Sequence, residues 1–431
     1  MLYYLFDWLD KAFDVPGAGV FQYISFRAAM SVITSLIIML LFGKPFIKFL
    51  RRKQIGETVR DLNLEGQKAK EGTPTMGGLL ILASIIIPTL LFAKIDNIYV
   101  LIMLGTTIWL GLVGFVDDYI KVFRKNKKGL PGMYKVVGQV ALGLVVGLLI
   151  MFHPDITVRE TMELQGDRVS ATTEAEGEQQ VAEHSKKSVT VYSGEDVKST
   201  RTTIPFVKDN ELDYAKIITW MGDWAKKWVW LLYVLIVIFI ITAVSNASNL
   251  TDGIDGLATS VAAVNGGALA ILAWVSGNII FANYLDIMYL PNIGELTVFI
   301  AAYMGATIGF LWFNTHPAEI FMGDTGSLAI GGIIAVFAIL IRKEILLVIL
   351  CGIYIVENLS VIIQTTGCKL YRKKHKLPVG VPVPVENRPF LMTPLHHHYQ
   401  KKGIAEEKIV MRFFIVAIVL AVVSIVTLKL R

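Results

Sequence analysis

The chain has 431 residues, of which 54% are hydrophobic and only 18% are charged, with a net charge of +6. Soluble domains carry about 45–50% apolar and about 25% charged residues, so this composition excludes a disordered chain and an ordinary water-soluble enzyme. The two cysteines, Cys351 and Cys368, are too few for a disulfide framework or a cysteine-based zinc site. A basic excess in so apolar a chain favours anionic lipid or phosphate partners over nucleic acid.

Ten apolar stretches are long enough to cross a membrane as helices. A bilayer core about 30 Å thick needs about 20 mostly apolar residues, and stretches that are apolar on all sides favour helices over strands. They lie at 24–43, 76–95, 98–117, 134–153, 227–248, 257–276, 295–313, 326–341, 345–364 and 409–428. Because only Arg342, Lys343 and Glu344 separate 326–341 from 345–364, these two predict a tight helical hairpin. The sequence therefore predicts an all-α polytopic membrane protein with about ten transmembrane helices.

Lysine and arginine in the connecting loops predict the orientation. The loops at 44–75, 118–133 and 365–408 are rich in both residues, and all three fall on one side of a ten-span arrangement. The loop at 277–294, on the other side, has neither. Basic loops remain on the cytoplasmic side of membranes, so we predict that both termini lie on the non-cytoplasmic side.

One segment, 154–226, differs in composition from the rest. It is polar and holds 14 acidic and nine basic residues. Short alternating runs within it, such as SVTVYSGEDV, indicate a few strands; a largely disordered exterior loop is the alternative. We therefore divide the chain into a membrane region at 1–153 (helices 1–4), a polar exterior insertion at 154–226 and a second membrane region at 227–431 (helices 5–10).

Polar residues gather at the predicted cytoplasmic ends of the spans. The five groups are Lys70, Thr73 and Thr75; Asp117 and Asp118; Asn246, Asn249, Asp252 and Asp255; Asn314 and Asp324; and His396, His397 and His398. A single such aspartate is most simply a solvated helix end, but five groups at one membrane depth indicate a site. Carboxylates with lysine, asparagine and histidine, without cysteine ligands, suit Mg²⁺ and phosphate and hence phosphoryl transfer.

The spacing within these groups leaves the local geometry open. Asn249, Asp252 and Asp255 are three apart, so they share a helix face or, given Gly253 and Gly256, lie in a turn. Adjacent Asp117 and Asp118 are about 100° apart on a helix, so we expect a frayed helix end if both enter one site. Glu357 breaks the pattern because it falls mid-span, with Gln364 on the same face; intramembrane carboxylates are costly and usually functional, the alternative being a hydrogen-bonded structural residue.

Five motifs in order carry a resemblance to a known family. KEGTPTMGG, GFVDDYIKV, NASNLTDGIDGLA, WFNTHPAEIFMGDTGSLA and PLHHHYQKKG resemble the phospho-N-acetylmuramoyl-pentapeptide-transferases, within the polyprenyl-phosphate N-acetylhexosamine-1-phosphate transferase superfamily. The resemblance covers nearly all of the chain outside 154–226. It implies ten transmembrane helices, a multi-pass location in the bacterial plasma membrane with the site facing the cytoplasm, and a homodimer. It also implies transfer of a phospho-sugar from UDP-N-acetylmuramoyl-pentapeptide to undecaprenyl phosphate, giving lipid I and UMP with Mg²⁺ as cofactor.

The same resemblance implies roles for individual residues. Asp324 is the main expected metal ligand, Asp117 the base for the lipid phosphate, and Asp118 a support for metal or phosphate. His396 is expected to contact the pyrophosphate or to stabilise its developing charge. The expected substrate-binding residues are Lys70, Thr75, Asn249, Asp252, Asp255, Asn314, Phe321 (stacking on uracil), Gln364, Thr393 and His397. Direct attack by the lipid phosphate is the preferred mechanism, and a covalent aspartyl-phosphate intermediate is its rival.

Two departures from the family pattern and two rival functions accompany this prediction. The histidine motif continues with Tyr399 and Gln400 where the family has an aromatic residue and glutamate, and the stretch 371–390 is longer than usual. The nearest rival is a related transferase of N-acetylglucosamine-1-phosphate. A secondary transporter, whose site would lie near the membrane midplane, is the rival from another class. A purely structural scaffold leaves the clustered carboxylates unexplained.

Overall fold

The computed structural model describes residues 1–53, 70, 72–124, 126, 129–159, 161–164, 189–192, 196–206, 211–219, 222–285, 287–378 and 381–428. Several basic residues that support the predicted orientation (Arg60, Lys68, Lys125, Lys127 and Lys128), and much of the insertion at 154–226, lie outside these ranges. The described chain is mostly helical, which confirms the predicted all-α class.

Fifteen α-helices occur in the described residues. In chain order they are α1 (Leu2–Phe13), α2 (Ile24–Arg52), α3 (Gly78–Phe92), α4 (Ile98–Val122), α5 (Gly132–Phe152), α6 (Tyr214–Thr219), α7 (Val229–Thr251), α8 (Leu257–Ser276), α9 (Ile279–Leu285), α10 (Leu296–Asn314), α11 (Gly323–Leu340), α12 (Leu347–Leu350), α13 (Gly352–Lys374), α14 (Leu395–Lys401) and α15 (Glu406–Val426).

Every predicted span coincides with a helix or with a bent helix pair. Eight helices in the described residues are long and apolar enough to cross a membrane, and the bent pair that ends in α13 makes nine. The tenth predicted span is α3, whose 15 residues reach only about 22 Å at 1.5 Å per residue. The protein is a polytopic membrane protein.

Helix α11 is the centre of the bundle. Every residue from Thr325 to Leu340 is buried, and α11 packs against α4, α7, α3 and α8. A helix that is apolar all round is expected at such a position. Helices α2, α10 and α15 complete the assembly around it, with α2 packed on α10 and α15 on α8.

Met1 and Leu428, the first and last described residues, lie at the same end of the bundle. The amino group of Met1 donates a hydrogen bond to the carbonyl of Leu90 (2.6 Å), in the last turn of α3. Helix α3 begins at Gly78 beside the start of α11, and α15 begins with Glu406 beside Lys70. Both helices therefore run away from the end that holds the predicted site, towards the end where the termini lie.

The predicted hairpin at 326–364 has a bend in its second half. After Leu340 the chain forms α12, and the axis then turns by 78° between Glu344–Leu350 and Gly352–Lys374. The hydropathy of this stretch is the same for a straight and a bent helix, so the sequence prediction missed the bend. The predicted turn residues Arg342, Lys343 and Glu344 are buried, not exposed.

The insertion contains strands, as its alternating runs predict, and it covers the turn at 342–344. Strands β1 (Thr161–Leu164) and β2 (Val189–Tyr192) form one antiparallel pair, and β3 (Arg201–Thr203) and β4 (Glu211–Asp213) form another. The amide of Thr203 donates to the carbonyl of Arg342 (3.0 Å). The described part of the insertion is therefore packed on the bundle at the end where Met1 lies.

Candidate active site

Three aspartate carboxylates meet where the end of α4 packs against the start of α11. Asp117 and Asp118 belong to α4, and Asp324 lies in the first turn of α11. One oxygen from each carboxylate lies within 4.8 Å of the other two. Asp117 and Asp118 are buried, whereas the side chain of Asp324 is 15% exposed. Three like charges this close repel one another, so the cluster requires cations.

Asp118 holds the first turn of α11. Its carboxylate accepts hydrogen bonds from the amides of Asp324 (3.0 Å) and Thr325 (2.9 Å) and from the Thr325 hydroxyl (2.6 Å). The first amides of a helix have no partner within the helix, and an acidic group there is favoured by the helix dipole. Gly323 has φ +72°, and a Cβ there would lie 2.6 Å from Asp118 Oδ2. Asp118 thereby fixes the backbone that carries Asp324.

Two lysines supply cations to the other two aspartates. Lys121 Nζ lies 2.5 Å from Asp117 and 3.1 Å from Asp324, and Lys135 Nζ lies 3.1 Å and 2.5 Å from the same two carboxylates. Asn249 donates its amide to Asp324 Oδ1 (3.0 Å). Three carboxylates against two ammonium groups leave one formal negative charge. Oxygen ligands in this number suit Mg²⁺, which binds through one or two carboxylates together with substrate phosphates.

The expected frayed end of α4 is wrong. The helix continues to Val122, and both aspartates are inside it. Both adjacent side chains contribute to one site because their partners lie on two sides of α4. Asp118 accepts hydrogen bonds from the start of α11, and Lys135 of α5 forms an ion pair with Asp117. The position of α5 could not be predicted from the local sequence.

Glycines bring the backbones of this site into direct contact. A Cβ on Gly114 would lie 2.2 Å from the carbonyl oxygen of Asp324, and one on Gly78 would lie 2.1 Å from the amide nitrogen of Gly326. Real Cβ atoms are never that close to backbone, so only glycine permits these approaches. Helices α3 and α4 are therefore packed against the first turns of α11 without intervening side chains.

The KEGTPTMGG and FMGD segments pair beside the aspartates. The amide of Phe321 donates a hydrogen bond to the carbonyl of Pro74 (2.8 Å), and the amide of Gly77 donates one to the carbonyl of Phe321 (2.9 Å). Thr75 is buried in this segment, and Phe321 is half-buried. Two predicted substrate-binding residues thus lie next to the metal-ligand candidates.

A second polar cluster is centred on Lys70. Its Nζ lies 2.7 Å from Asp255 and 2.5 Å from Glu406, and His316 Nδ1 lies 3.0 Å from the other oxygen of Asp255. Oxygen and nitrogen atoms of Asp255, His316 and Glu406 also lie within 4.8 Å of one another. Lysine bridges carboxylates in both clusters, but the aspartate cluster at α11 fits Mg²⁺ better, because its three candidate ligand atoms are all oxygens.

The question left open for Asn249, Asp252 and Asp255 is answered in favour of a turn. Helix α7 ends at Thr251, Asp252 follows its last residue, and Gly256 with φ +79° precedes α8. Asn249 is directed to Asp324, whereas Asp255 is directed to Lys70. The motif therefore connects the two polar clusters instead of presenting one helix face.

His396 and Glu357 form a fully buried pair. His396 Nδ1 lies 3.1 Å from Glu357 Oε2, and the His396 amide donates to Glu357 Oε1 (3.1 Å). Both side chains are almost wholly inaccessible. The expectation that Glu357 lies apart from the other polar groups is wrong, because the bend after Leu350 brings this part of α13 to the histidine loop. A Cβ on Gly253 would lie 2.3 Å from His396 Nε2, so the ring reaches the turn that joins α7 to α8.

The second histidine joins the Lys70 cluster through Gln400. His397 Nδ1 lies 2.7 Å from Gln400 Oε1, and Gln400 Nε2 donates to Glu406 (3.3 Å). Burial, followed by the charge of His396, lowers the pKa of His397 to about 4. His397 is therefore neutral at pH 7. Gln400, the departure from the family pattern, hydrogen-bonds a carboxylate supplied six residues later.

Two further predicted residues, Asn314 and Gln364, support loops. Asn314 is buried and bonds the amide of Gly256 (3.2 Å) and the carbonyl of Ile320 (3.0 Å), which uses both ends of its amide. Gln364 pairs with the backbone of Phe390 through its amide nitrogen (3.1 Å) and its oxygen (3.0 Å). Thr393 is half-buried just before α14. Their predicted contacts with substrate remain predictions.

The sequence analysis did not single out four residues of the two clusters, one of which, Lys121, lies in the GFVDDYIKV motif. Lys135 is counted within the apolar span 134–153, where it is the one charged residue; a lone charge in a span is a functional signal. His316 lies in the WFNTHPAEIF motif, and Glu406 directly precedes the last span. Their partners come from distant parts of the chain, so only the tertiary structure reveals their role.

Two family models match the chain. The model described as glycosyl transferase family 4 matches residues 199–342, and the phospho-N-acetylmuramoyl-pentapeptide-transferase signature 1 matches residues 70–82. The first match includes α7, α8, α10 and α11, and the second covers Lys70, Thr75 and the glycines that pack on α11. Both matches therefore contain parts of the aspartate cluster or its surroundings.

Full-length relatives agree with these matches. Proteins described as phospho-N-acetylmuramoyl-pentapeptide-transferase from Flavobacterium psychrophilum and Flavobacterium johnsoniae are each 56% identical to the chain, and one from Parabacteroides distasonis is 51% identical. In each case the alignment covers all of both chains. The chain belongs to the phospho-N-acetylmuramoyl-pentapeptide-transferase family.

Proposed function

We propose that this protein transfers phospho-N-acetylmuramoyl-pentapeptide from its UDP conjugate to undecaprenyl phosphate, which gives lipid I and UMP in peptidoglycan synthesis. The observation that carries the proposal is the meeting of Asp117, Asp118 and Asp324 with two lysines at one end of a membrane bundle. That end is where a lipid phosphate and a water-soluble nucleotide would meet. The family of the chain supplies the identity of the two substrates.

The residues divide the work of phosphoryl transfer, which depends mainly on positioning and charge neutralisation. Lys121 and Lys135 are placed to contact phosphate oxygens once substrate enters between the carboxylates. Asp117 accepts the proton of the lipid phosphate. An oxygen of that phosphate then forms a bond to the β-phosphorus, and the bond from this phosphorus to the bridging oxygen breaks, so that UMP leaves with the electron pair.

Asp324, Asp117 and Asp118 are the residues that would hold Mg²⁺. The fit rests on their oxygen-only donor set and on the unbalanced negative charge of the cluster. When bound, the ion neutralises charge on the phosphates of the donor substrate. Asp118 contributes in addition by holding the start of α11, which keeps Asp324 in place. A covalent aspartyl-phosphate intermediate remains the rival to direct attack.

The location of the site supports the proposed orientation. The aspartates lie at the end of the bundle opposite to both termini and the insertion, and the basic loops begin at the aspartate end. We place this end in the cytoplasm, because Lys- and Arg-rich loops remain there and the UDP-sugar is soluble. The homodimer implied by the resemblance is a separate proposal, on which the transfer reaction does not depend.

The test is UMP release from UDP-N-acetylmuramoyl-pentapeptide and undecaprenyl phosphate by the purified protein, with and without Mg²⁺. Asp324→Asn removes one negative charge from the centre of the cluster, and we expect a loss of at least about 10²-fold in rate. Asp155→Asn changes an aspartate that is 68% exposed outside the cluster, and it should leave the rate unchanged.

Three outcomes would overturn parts of the proposal. Full activity of Asp324→Asn would remove the assigned centre. Transfer from UDP-N-acetylglucosamine alone would move the protein to the related branch of the superfamily. Uptake of a solute into proteoliposomes without UMP release would favour the transporter, which the present geometry disfavours because both polar clusters lie at one end of the bundle and not at its midplane.

A further inference from the structure

We propose that Glu357 is a positioning residue for the transfer reaction: it fixes the orientation of His396 and supports its protonated form, so that Nε2–H is directed to a phosphate oxygen of the substrate. The inference rests on the proposed function and extends it by one residue. Glu357 lies in α13, on the far side of His396 from the turn that links α7 and α8.

Glu357 contacts His396 at two points. One carboxylate oxygen lies 3.1 Å from Nδ1 and the other accepts the His396 amide at 3.1 Å. The amide contact fixes the position of the backbone at the start of α14, and the ring contact fixes the rotation of the side chain. A carboxylate accepts hydrogen bonds only, so Nδ1 must carry the proton. Nε2 is then the ring atom that is left for a ligand.

Nε2 is buried and has no hydrogen-bond partner among the described residues. Buried polar atoms are nearly always paired, and leaving one unpaired costs about 1–3 kcal/mol. The atom lies over Gly253, where any Cβ would approach it to 2.3 Å. Gly253 itself is exposed, in the turn between Asn249 and Asp255. The unpaired nitrogen is therefore directed to the turn that joins the two polar clusters.

The pair explains why a carboxylate is buried inside a bent membrane helix. Burial of a charge is costly unless a partner compensates it. The Glu357 carboxylate at Nδ1 stabilises the positive charge of His396 when the ring is protonated. When the β-phosphate develops negative charge, a protonated ring can donate Nε2–H to an oxygen, while Glu357 offsets the positive charge. A histidine held by a second group is usual in sites where ring orientation matters.

The direct test is Glu357→Gln, with kcat and KM measured for both substrates in the UMP-release assay. The glutamine retains an acceptor but loses the charge and the symmetric carboxylate. We expect kcat to fall by about 10–100-fold, as is usual when a group that orients a histidine is changed, with KM altered less than about threefold. The matched control is Ser360→Ala, one turn further along α13. Ser360 is also buried, and its hydroxyl bonds only the Glu357 carbonyl within the helix.

The decisive measurement is a double-mutant cycle with His396→Gln. If Glu357 acts through His396, the double variant is no slower than His396→Gln alone. If Glu357 only stabilises the fold, the two losses multiply, and the melting temperature falls in step with activity; either result overturns the inference. If Glu357→Gln does not fold, Glu357→Asp replaces it, because the shorter side chain keeps the charge but moves it away from His396. A wild-type kcat for Glu357→Asp would also overturn the inference. An inactive wild-type protein would instead contradict the proposed function.

Discussion

The two ends of α11 both bury charge, but they do so in opposite ways. At its start, three carboxylates share two lysines, and the side chains of Lys121, Lys135 and Asp324 are 35%, 16% and 15% exposed. At its far end, Arg342, Lys343 and Glu344 are at most 3% exposed. The two clusters are separated by the 18 residues of α11, or about 27 Å.

The far-end cluster is closed by the insertion. Lys343 Nζ donates to the Thr203 hydroxyl (2.5 Å), the hydroxyl of Tyr214 donates to Glu344 (3.1 Å), and Arg342 donates to the hydroxyl of Tyr233 (2.9 Å). Each charged side chain has its own polar partner, and all three side chains are shielded from solvent. Each end carries an excess of one formal charge, but only the excess at the start of α11 lies within reach of solvent. A closed cluster whose side chains each have their own partner is typical of structure, whereas an open cluster with shared partners is typical of a binding site.

The largest effect is expected from adding one methyl group at the open end. Gly114→Ala places a Cβ 2.2 Å from the carbonyl oxygen of Asp324, so α4 and α11 must separate. We expect a loss of about 10²-fold in activity, since displacements near 1 Å have that effect, and a destabilisation of about 1–3 kcal/mol. UMP release and thermal unfolding in detergent measure the two quantities.

The control for this change lies on the same helix. A Cβ on Gly105 meets nothing within 4 Å, and alanine is favoured over glycine inside a helix. Gly105→Ala should retain full activity and equal or higher stability. Equal losses of activity and stability from the two substitutions would mean that α4 is sensitive to alanine at any glycine. The close approach of Gly114 to Asp324 would then have no special role.

A smaller effect, on stability alone, is expected at the closed end. Thr203→Val removes the partner of a buried ammonium group and should cost about 1–3 kcal/mol. Lys343→Met removes the charge itself and should be nearly neutral, because a buried charge is often replaced by an apolar side chain without loss. Thermal unfolding of both variants and of the double variant measures this difference.

The activity of these variants separates the two ends of α11. UMP release per folded molecule should be unchanged in Thr203→Val and Lys343→Met. A variant that is inactive while it remains folded would show that the closed end takes part in the reaction and that the two ends of α11 do not differ in role.

The smallest effect is a dependence of stability on pH. Burial lowers the pKa of Lys343 from 10.5 to about 8. Between pH 8 and 10 the unfolded chain therefore binds a proton that the folded protein releases, so this residue makes the folded state more stable as the pH rises. The gain approaches about 2 kcal/mol over this interval.

The comparison of wild type with Lys343→Met isolates this contribution from other titrating groups. The pKa of Tyr214 is raised by burial, and unfolded tyrosine ionises near pH 10, but this contribution cancels in the comparison because both proteins contain Tyr214. The stability difference between the two proteins should change with pH in the stated direction. If the stability of the two proteins changed with pH in parallel, Lys343 would be hydrated in solution and this end of α11 would be open to solvent.

The sequence predicted the helices well because each one is a long apolar segment, a property that requires no knowledge of its neighbours. It also predicted that polar residues would meet at one end of the bundle. It did not predict that they form two clusters, because the choice of partner for Asp255 or Lys70 depends on the packing of α8, α10 and α15. The assignment of Lys70, Asp255 and the other residues to substrate contacts remains a prediction.

Two features escaped the sequence analysis for physical reasons. The bend after Leu350 changes the direction of α13 but not its composition, so Glu357 was placed in the middle of a span. Lys135 was hidden because a single charge hardly alters the mean hydropathy of a 20-residue window. In both cases the informative signal is a single polar side chain in an apolar stretch. Averaging hydropathy over a window removes this signal.

The contact between Thr203 and Lys343 has a consequence for the order in which the protein is assembled. The two residues are 140 positions apart in the chain, and α7, α8, α10 and α11 are all synthesised between them. The described part of the insertion can therefore bind the turn that it covers only after these four long apolar helices have been made. Contacts between such distant residues form late in folding. Closure of this end is thus a late event, and protection of Lys343 from an amine-reactive reagent would report when the bundle is complete.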